Sequence, residues 1–415
     1  MRISLAIPTR ERAELLGPCL DAALAVEDPD FEIVVSDNAS QDATAEVLAA
    51  RCDPRLKVVS TDARVSMRSN FENALTATSG DYVVFIGDDD GVLASGIAML
   101  RDVLEAYGPD AVGWPLLGYT WPSRRPGHQA GFVNVQRKSV YGGIRFEPPK
   151  KALERALAGR IRNYKDLANI YHGCISRKLI DRVRSRTNGT YFAGAVPDVY
   201  SSIANLMEMQ TNLCWVDHPV TFGGASDRSN GAAQCGAAKA TKEGAAEVRA
   251  FVAEGTLDIG ASGIDLTVPS VDALTLDMLE IATKDTSLFG QIDHDAWFSK
   301  IQRRLSNMPK AKAQHGTEIL WQWATERGLG GLYRQAVNRY PAVGPTHEPE
   351  GRRKSDPSFG LRMITLASEV NMTTVADGAR MLEATLGPHD PSRPGGLFRW
   401  FRAIARARAE VRRWG

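Results

Sequence analysis

The sequence predicts an α/β protein, a doubly wound mixed sheet over residues 1–225 followed by a mainly helical region. Three observations predict it. Strand and helix patterns alternate through the first hundred residues, which implies parallel strands with helices on both faces. An apolar run, Tyr82-Val83-Val84-Phe85-Ile86-Gly87, ends abruptly in Asp88-Asp89-Asp90, as a buried strand does at the ligand-binding rim of an open sheet. After residue 237 the apolar spacing changes to three and four, the period of helices.

The elements follow in order. Residues 3–7 read as a strand closed by Pro8-Thr9, and 13–25 as a helix with Leu15, Leu16, Cys19, Leu20 and Leu24 on one face. A second strand over 31–35 ends in Ser36-Asp37-Asn38, and Ser40 and Asp42 offer caps to a helix over 43–50. A third strand is expected over 56–60 and a helix over 69–78, with Phe71, Ala74 and Leu75 inward. The aspartate-bearing strand comes next, then a helix over 93–107. From 110 to 163 the pattern weakens, with strands over 112–117 and 131–135 and a loop over 122–126. It returns as a strand over 170–176, helices over 177–183 and 196–209, and a strand over 213–216. Residues 223–236, rich in Gly, Ser, Asn and Ala, read as a mobile loop. Helices are expected over 245–252, 271–282, 296–305 and 317–327, a linker over 340–356, a strand over 361–370 and a helix over 374–386. This divides the chain into 1–225, 226–350 and 351–415, the last ending in a basic amphipathic helix over 396–415.

Composition narrows the function. With 43% hydrophobic and 24% charged residues and a formal net charge of +1, the chain has no overall attraction to nucleic acid. Five scattered cysteines without C-x-x-C spacing argue against structural zinc and suit a reducing cytoplasm. The amino terminus passes straight into a strand with no signal-peptide apolar region, so the expectation is a cytoplasmic protein.

Two strands end in acid at corresponding places, Val34-Val35-Ser36-Asp37 and Phe85-Ile86-Gly87-Asp88-Asp89-Asp90, and the first ends in Pro8-Thr9-Arg10. In a parallel sheet these ends share one rim. Aspartate there can hold a base or ribose, and neighbouring carboxylates can hold a hard cation against a diphosphate. Neither a dinucleotide-binding glycine fingerprint nor a P-loop occurs in its strand-to-helix context, which weakens dehydrogenase and NTPase readings.

The run Ile3 to Arg10, the block from Glu32 to Thr44, Asn70, and the run Gly80 to Asp90 together resemble family 2 glycosyltransferases of the GT-A fold in order and spacing. The resemblance covers about the first 110 residues. It implies a nucleotide-diphosphate sugar donor, a UDP-sugar first, a divalent Mn or Mg ion, and inverting transfer by direct displacement. Carried over, Pro8, Thr9 and Arg10 line the base pocket and Asp37 holds the base. Asp88 lies toward the ribose and, with Asp90, toward the metal, while Asp89 is left open between the two roles. Arg68 and Asn70 fall on the donor side, although Arg68 also reads simply as a solvated helix end. The sequence departs from the family pattern at Arg10-Glu11-Arg12, where many members carry an aromatic and an asparagine.

The resemblance also asks for a base about a hundred residues beyond the aspartates, at the start of a helix. Asp198 in Pro197-Asp198-Val199 fits, although aspartate also favours a helix's first turn on stability grounds; Asp181 and Asp166 are alternatives. His218 and His172 are candidate third metal ligands or structural histidines, and Trp114, Tyr119 and Trp121 either stack on an acceptor or pack in the core. The 223–236 loop, with Arg228, either closes over the donor or links onward. The tail sets Leu397, Phe398, Trp400, Phe401, Ile404, Val411 and Trp414 on an apolar stripe flanked by arginines. It suits either an anionic membrane surface, on the inner face of the cytoplasmic membrane, or docking on the protein. The expected acceptor is a glycan or a lipid-linked oligosaccharide in polysaccharide assembly. The rival readings are a non-catalytic nucleotide-sugar or glycan-binding module and a nucleotidyltransferase, the latter lacking its glycine-rich amino-terminal loop.

Overall fold

Strand β1 (Ile3–Thr9) is the centre of the parallel half of the sheet, flanked by β2 (Phe31–Asp37) and β4 (Tyr82–Phe85), with β3 (Leu56–Ser60) outside β2. The computed structural model describes residues 1–122, 131–137, 143–226, 228, 253, 263–344, 358–359, 363–366, 372–387 and 397–414. Alternation along the central strands feeds two cores. Ile3, Leu5, Ile7 and Val84 face α1 (Ala13–Leu24) and α4 (Ala94–Tyr107), while Ala6, Val83 and Phe85 face α3 (Met67–Ala77) and the helical region. α2 (Thr44–Ala49) packs beside α1, and Asp42 serves both helices, accepting from the Ala13 amide at 3.0 Å and the Thr44 amide at 3.1 Å.

Beyond β4 the eight-stranded sheet becomes mixed, in the order β3-β2-β1-β4-β10-β6-β11-β9. The added strands are β6 (Ala111–Gly113), β9 (Ile144–Glu147), β10 (Gly173–Ser176) and β11 (Leu213–Val216), with β10 antiparallel to both β4 and β6. A second sheet of six strands contains β5 (Gly91–Val92), β7 (Leu117–Thr120), β8 (Phe132–Gln136) and β12 (Thr221–Ala225). The single strand expected over 112–117 is therefore two, β6 and β7, in different sheets. Gly223 to Ala225, expected in a loop, are strand, because they pair in parallel with β7. Of the rest of that loop, residues 227 and 229–236 lie outside the described residues, as does the helix expected over 245–252.

Helix α5 (Pro149–Leu157) was not expected; α6 (Arg177–Arg186) and α7 (Pro197–Glu208) fall where the spacing puts them. The helical region supplies α8 (Val271–Thr283), α9 (His294–Leu305), α10 (Lys310–Glu326) and α11 (Gly330–Arg339). α8 lies on α7, and its Leu274 and Met278 join the second core with Trp297, Phe298, Trp323 and Tyr333. Close approach of α8 is set by Gly194: at φ +70°, a Cβ there would meet Met278 Sδ at 2.5 Å.

The chain then returns to the first unit. β13 (Ser358–Phe359) and β14 (Met363–Leu366) extend the second sheet, β14 pairing with β8. α12 (Val375–Leu386), opened by a Thr374–Asp377 capping box, packs on α1. α13 (Leu397–Trp414) docks on α12 through Trp400, Ala403, Ile404 and Ala407, all buried. Trp400 and Ile404 of the apolar stripe are thus buried in the protein's own core and Val411 packs against it, with Phe401 left 51% exposed; the side chains of Leu397, Phe398 and Trp414 lie outside those described. The remainder of the 361–370 strand and of the 340–356 linker lies partly outside the described residues. No helix among the described residues is long and apolar enough to cross a membrane.

Candidate active site

The carboxyl ends of β1 and β2 lie side by side, Thr9 opposite Asp37, and the turn after β4 brings Asp88, Asp89 and Asp90 against Thr9. All three carboxylates are buried. Asp88 accepts from the Thr9 hydroxyl at 2.7 Å and pairs with Arg12 at 3.0 Å. Asp89 accepts from Ser226 at 2.8 Å, and Trp121 braces its carbonyl at 2.8 Å. Asp90 accepts from the amides of Gly87 at 2.6 Å and Gly224 at 2.7 Å and from the Tyr171 hydroxyl at 2.7 Å; His172 Nε2 lies 3.1 Å away. β12 must run close over the aspartates to supply its amide. A Cβ on Gly224 would sit 1.7 Å from the Asp89 carbonyl oxygen, so only glycine fits.

A cavity of about 340 Å³ opens onto this cluster. Pro8, Thr9, Arg10, Asn70, all three aspartates and Asp198 line it. Asp198 reaches it from the first turn of α7, behind Pro197, and is itself buried. Its carboxyl is pushed up to about 6 by burial, against the pull of its own and the Val199 amides, Lys165 and a Tyr164 hydrogen bond. Burial and then the charge of Asp90 push Asp89 up to about 7. Asp90 is also raised by burial, but His172, Tyr171 and the Gly224 amide outweigh that and hold it below the usual range.

Several expected residues sit elsewhere. Asp37 is at the end of β2 and accepts from the Ser40 amide at 3.2 Å; its neighbour Asn38 is the one that lines the cavity. Arg68, in the first turn of α3, donates to Ser69 at 3.1 Å, whereas Met67 and Asn70 reach the cavity. Asn70 also ties α3 to β2, accepting from Ser36 at 2.7 Å. His218 faces Ser95 at 3.4 Å and not the aspartates; His172 is the histidine at Asp90. Asp166 pairs with Arg162 at 2.7 Å. Trp114, Tyr119 and Trp121 are buried in the first core, and Arg228 pairs with Glu14 at 2.7 Å.

The residues sequence reading missed are Arg12, Tyr164, Lys165 and Tyr171, together with Val271 and Leu274 on α8, all lining the cavity. Backbone strain gives a physical signal for the site: Glu11, Ala39 and His172 have φ of 53°, 51° and 56°, and each lines the cavity or adjoins a residue that does.

A mixed sheet whose parallel half ends in clustered carboxylates is what the resemblance of the sequence to GT-A glycosyltransferases leads one to expect. Residues 4–179 match the model of Glycosyl transferase family 2. Over residues 4–179 the chain is thus similar to family 2 glycosyltransferases. Among curated proteins, the chain is 30% identical over 102 residues to a GalNAc(5)-diNAcBac-PP-undecaprenol beta-1,3-glucosyltransferase of Campylobacter jejuni, covering 24% of this chain and 33% of that protein. It is 32% identical over 111 residues to an abequosyltransferase of Salmonella typhimurium, covering 26% and 33%. The chain thus matches about a third of the length of these relatives. Among solved structures, S. aureus TarS 1-349 in complex with UDP-GlcNAc aligns over 83% of this chain and 93% of that one, at 14% identity and a TM-score of 0.47.

Proposed function

We propose that this chain is an inverting, metal-dependent glycosyltransferase that moves a sugar from a nucleoside-diphosphate donor to a hydroxyl acceptor. The observation that carries this reading is the pairing, across one cavity, of the rim aspartates with Asp198. The nucleotide lies along Pro8, Thr9 and Arg10, with Asn38 at the base end and Asp88, oriented by Thr9 and Arg12, toward the ribose. Asp198 takes the proton of the acceptor hydroxyl; the oxygen attacks the anomeric carbon from the face opposite the diphosphate, and the bond from that carbon to the diphosphate oxygen breaks. Inversion follows from that single displacement.

The rim suits a hard cation. Three buried carboxylates lie beside Arg12 and His172, and burial, then the charge of Asp90, raises Asp89, which a cation would relieve. Among the described residues no three His, Cys, Asp or Glu side chains form a ready-made metal cage. Asp90 and Asp88, with Asp89 beside them, are the residues that would hold the ion. When bound, Mn or Mg would supply Lewis-acid stabilisation of the departing diphosphate.

The donor is a UDP-sugar, as the resemblance of the sequence implies, and a lipid-linked glycan acceptor is supported by the likeness to the Campylobacter enzyme, a glucosyltransferase of an undecaprenol-linked oligosaccharide. The test is release of nucleoside diphosphate from UDP-glucose, UDP-N-acetylglucosamine and GDP-mannose, with Mn and with chelator, and product stereochemistry by NMR. A β-linked product from an α-donor, abolished by chelation, is expected. Retention of configuration, or turnover indifferent to chelator, would contradict the reading.

A further inference from the structure

The segment between α5 and β10 crosses the cavity from Asp198 to Asp90. It starts in a 3-10 turn, Tyr164–Asp166, whose entry is fixed by Asn163 accepting from the Lys165 amide at 2.9 Å. Its middle is bonded to α7 itself: Asn205, two turns along the helix from Asp198, donates to the Ala168 carbonyl at 2.8 Å. Its end runs beside β4, where the Phe85 amide donates to Ile170 and the His172 amide to Phe85, each at 2.9 Å. The strap is thus tied to both elements that carry the site's acids. Four of its side chains line the cavity, and each acts on one or both of those acids. Tyr171 and His172 bond Asp90, Tyr164 donates to Asp198, and the Lys165 ammonium acts on both Asp198 and Asp90.

We propose that Tyr164 and Lys165 are positioning residues of the general base: Tyr164 orients the Asp198 carboxylate by hydrogen bond, and Lys165 supplies the positive charge it faces across the cavity. This rests on the transfer reading above. The other charged groups on the elements around Asp198 are committed elsewhere. On α8, Asp272 pairs with Lys300 at 3.0 Å and with Arg304. On α3, Glu72 takes Arg184 at 3.0 Å and the amides of Tyr191 and Phe192. On α5, Arg155 pairs with Glu147 at 2.9 Å, and on α6, Arg182 pairs with Asp110 at 2.7 Å. The α8 side chains that reach the cavity, Val271 and Leu274, are apolar. Burial favours the protonated form of Asp198, which could not accept a proton. Lys165 and Tyr164 both work in the opposite direction; burial lowers the pKa of Lys165 itself, and the charges of Asp90 and Asp198 act to keep it protonated.

The sign is definite. Removing either partner leaves burial less opposed, so the carboxylate protonates at higher pH and the acid limb of the rate profile moves up. The experiment follows nucleoside diphosphate release from UDP-glucose, UDP-N-acetylglucosamine and GDP-mannose between pH 5 and 9 (about the span of a carboxylate and histidine titration). It uses the full chain, Lys165→Met, Lys165→Arg, Tyr164→Phe and Asp198→Asn, each checked for an unchanged melting curve. The expected result is an acid limb raised by about one pH unit in Lys165→Met, a tenfold loss below the limb. The alkaline plateau stays within about threefold, Lys165→Arg restores the limb, and Tyr164→Phe moves it the same way. A uniform loss at all pH values in Lys165→Met and Tyr164→Phe, or an unmoved limb in both, overturns the proposal. If Asp198→Asn is inactive while those limbs stay, only this inference fails. If Asp198→Asn turns over normally, or no donor is turned over by the unaltered chain, the transfer reading fails and takes this inference with it.

Discussion

A buried carboxyl that must accept a proton is useful only above its own pKa, and for Asp198 that threshold lies near 6. The rate of transfer should therefore be flat above neutral pH and fall as pH drops through about 6, measured as kcat/KM for the donor. Asp198→Asn should lose about 10²- to 10⁴-fold in turnover. Asp88, Asp89 and Asp90 were legible from the sequence because everything that makes them a rim is local: an apolar run, an abrupt end and three acids. Asp198 was legible only through its distance along the chain and its place at a helix start. Tyr164, Lys165 and Tyr171 were not legible. Their partners lie 34, 33 and 81 positions away in the chain, and a Tyr-Lys pair in a short turn has no pattern that separates it from a solvated loop. Arg12 marked the departure from the family pattern, and its salt bridge to Asp88 gives that departure a structural use.

At the scale of elements, β12 shows how pairing overrides composition. Gly223-Gly224 reads as a chain breaker, yet lack of side chains is what lets the strand pass over Asp89 and donate to Asp90. Gly224→Ala should abolish donor turnover and lower the melting temperature, because the added Cβ would overlap the Asp89 backbone rather than a movable side chain. α8 is the second such case. Its amphipathic spacing made it visible as a helix, but not that it would wall the cavity with Val271 and Leu274, well outside the residues that match the family. Gly194→Ala should cost about 1–3 kcal/mol by thermal melt, from left-handed backbone strain and from pushing Met278 off α7. Because that shift moves α8, it should also weaken acceptor more than donor kinetics.

For the molecule as a whole, the carboxyl-terminal segment closes back on the first unit: β14 completes a sheet begun by β5 and β7, and α13 fills the first core with Trp400. Trp400→Ala should destabilise the protein by about 3–5 kcal/mol, read as a fall in melting temperature, since it empties a fully buried site. The tail's apolar stripe was legible in the sequence, but its destination was not, because a membrane and a protein core ask for the same periodicity. Long-range closure of this kind leaves no local trace. The central claim, that the rim acids hold the donor while Asp198 drives the chemistry, is tested most directly by comparing Asp198→Asn with Asp90→Asn. Donor binding by calorimetry and nucleoside diphosphate release should be measured side by side in Mn. The account predicts that Asp198→Asn binds the donor as the unaltered chain does and releases almost none, while Asp90→Asn loses binding as well. Full turnover in Asp198→Asn, or donor binding indifferent to Asp90, would contradict it.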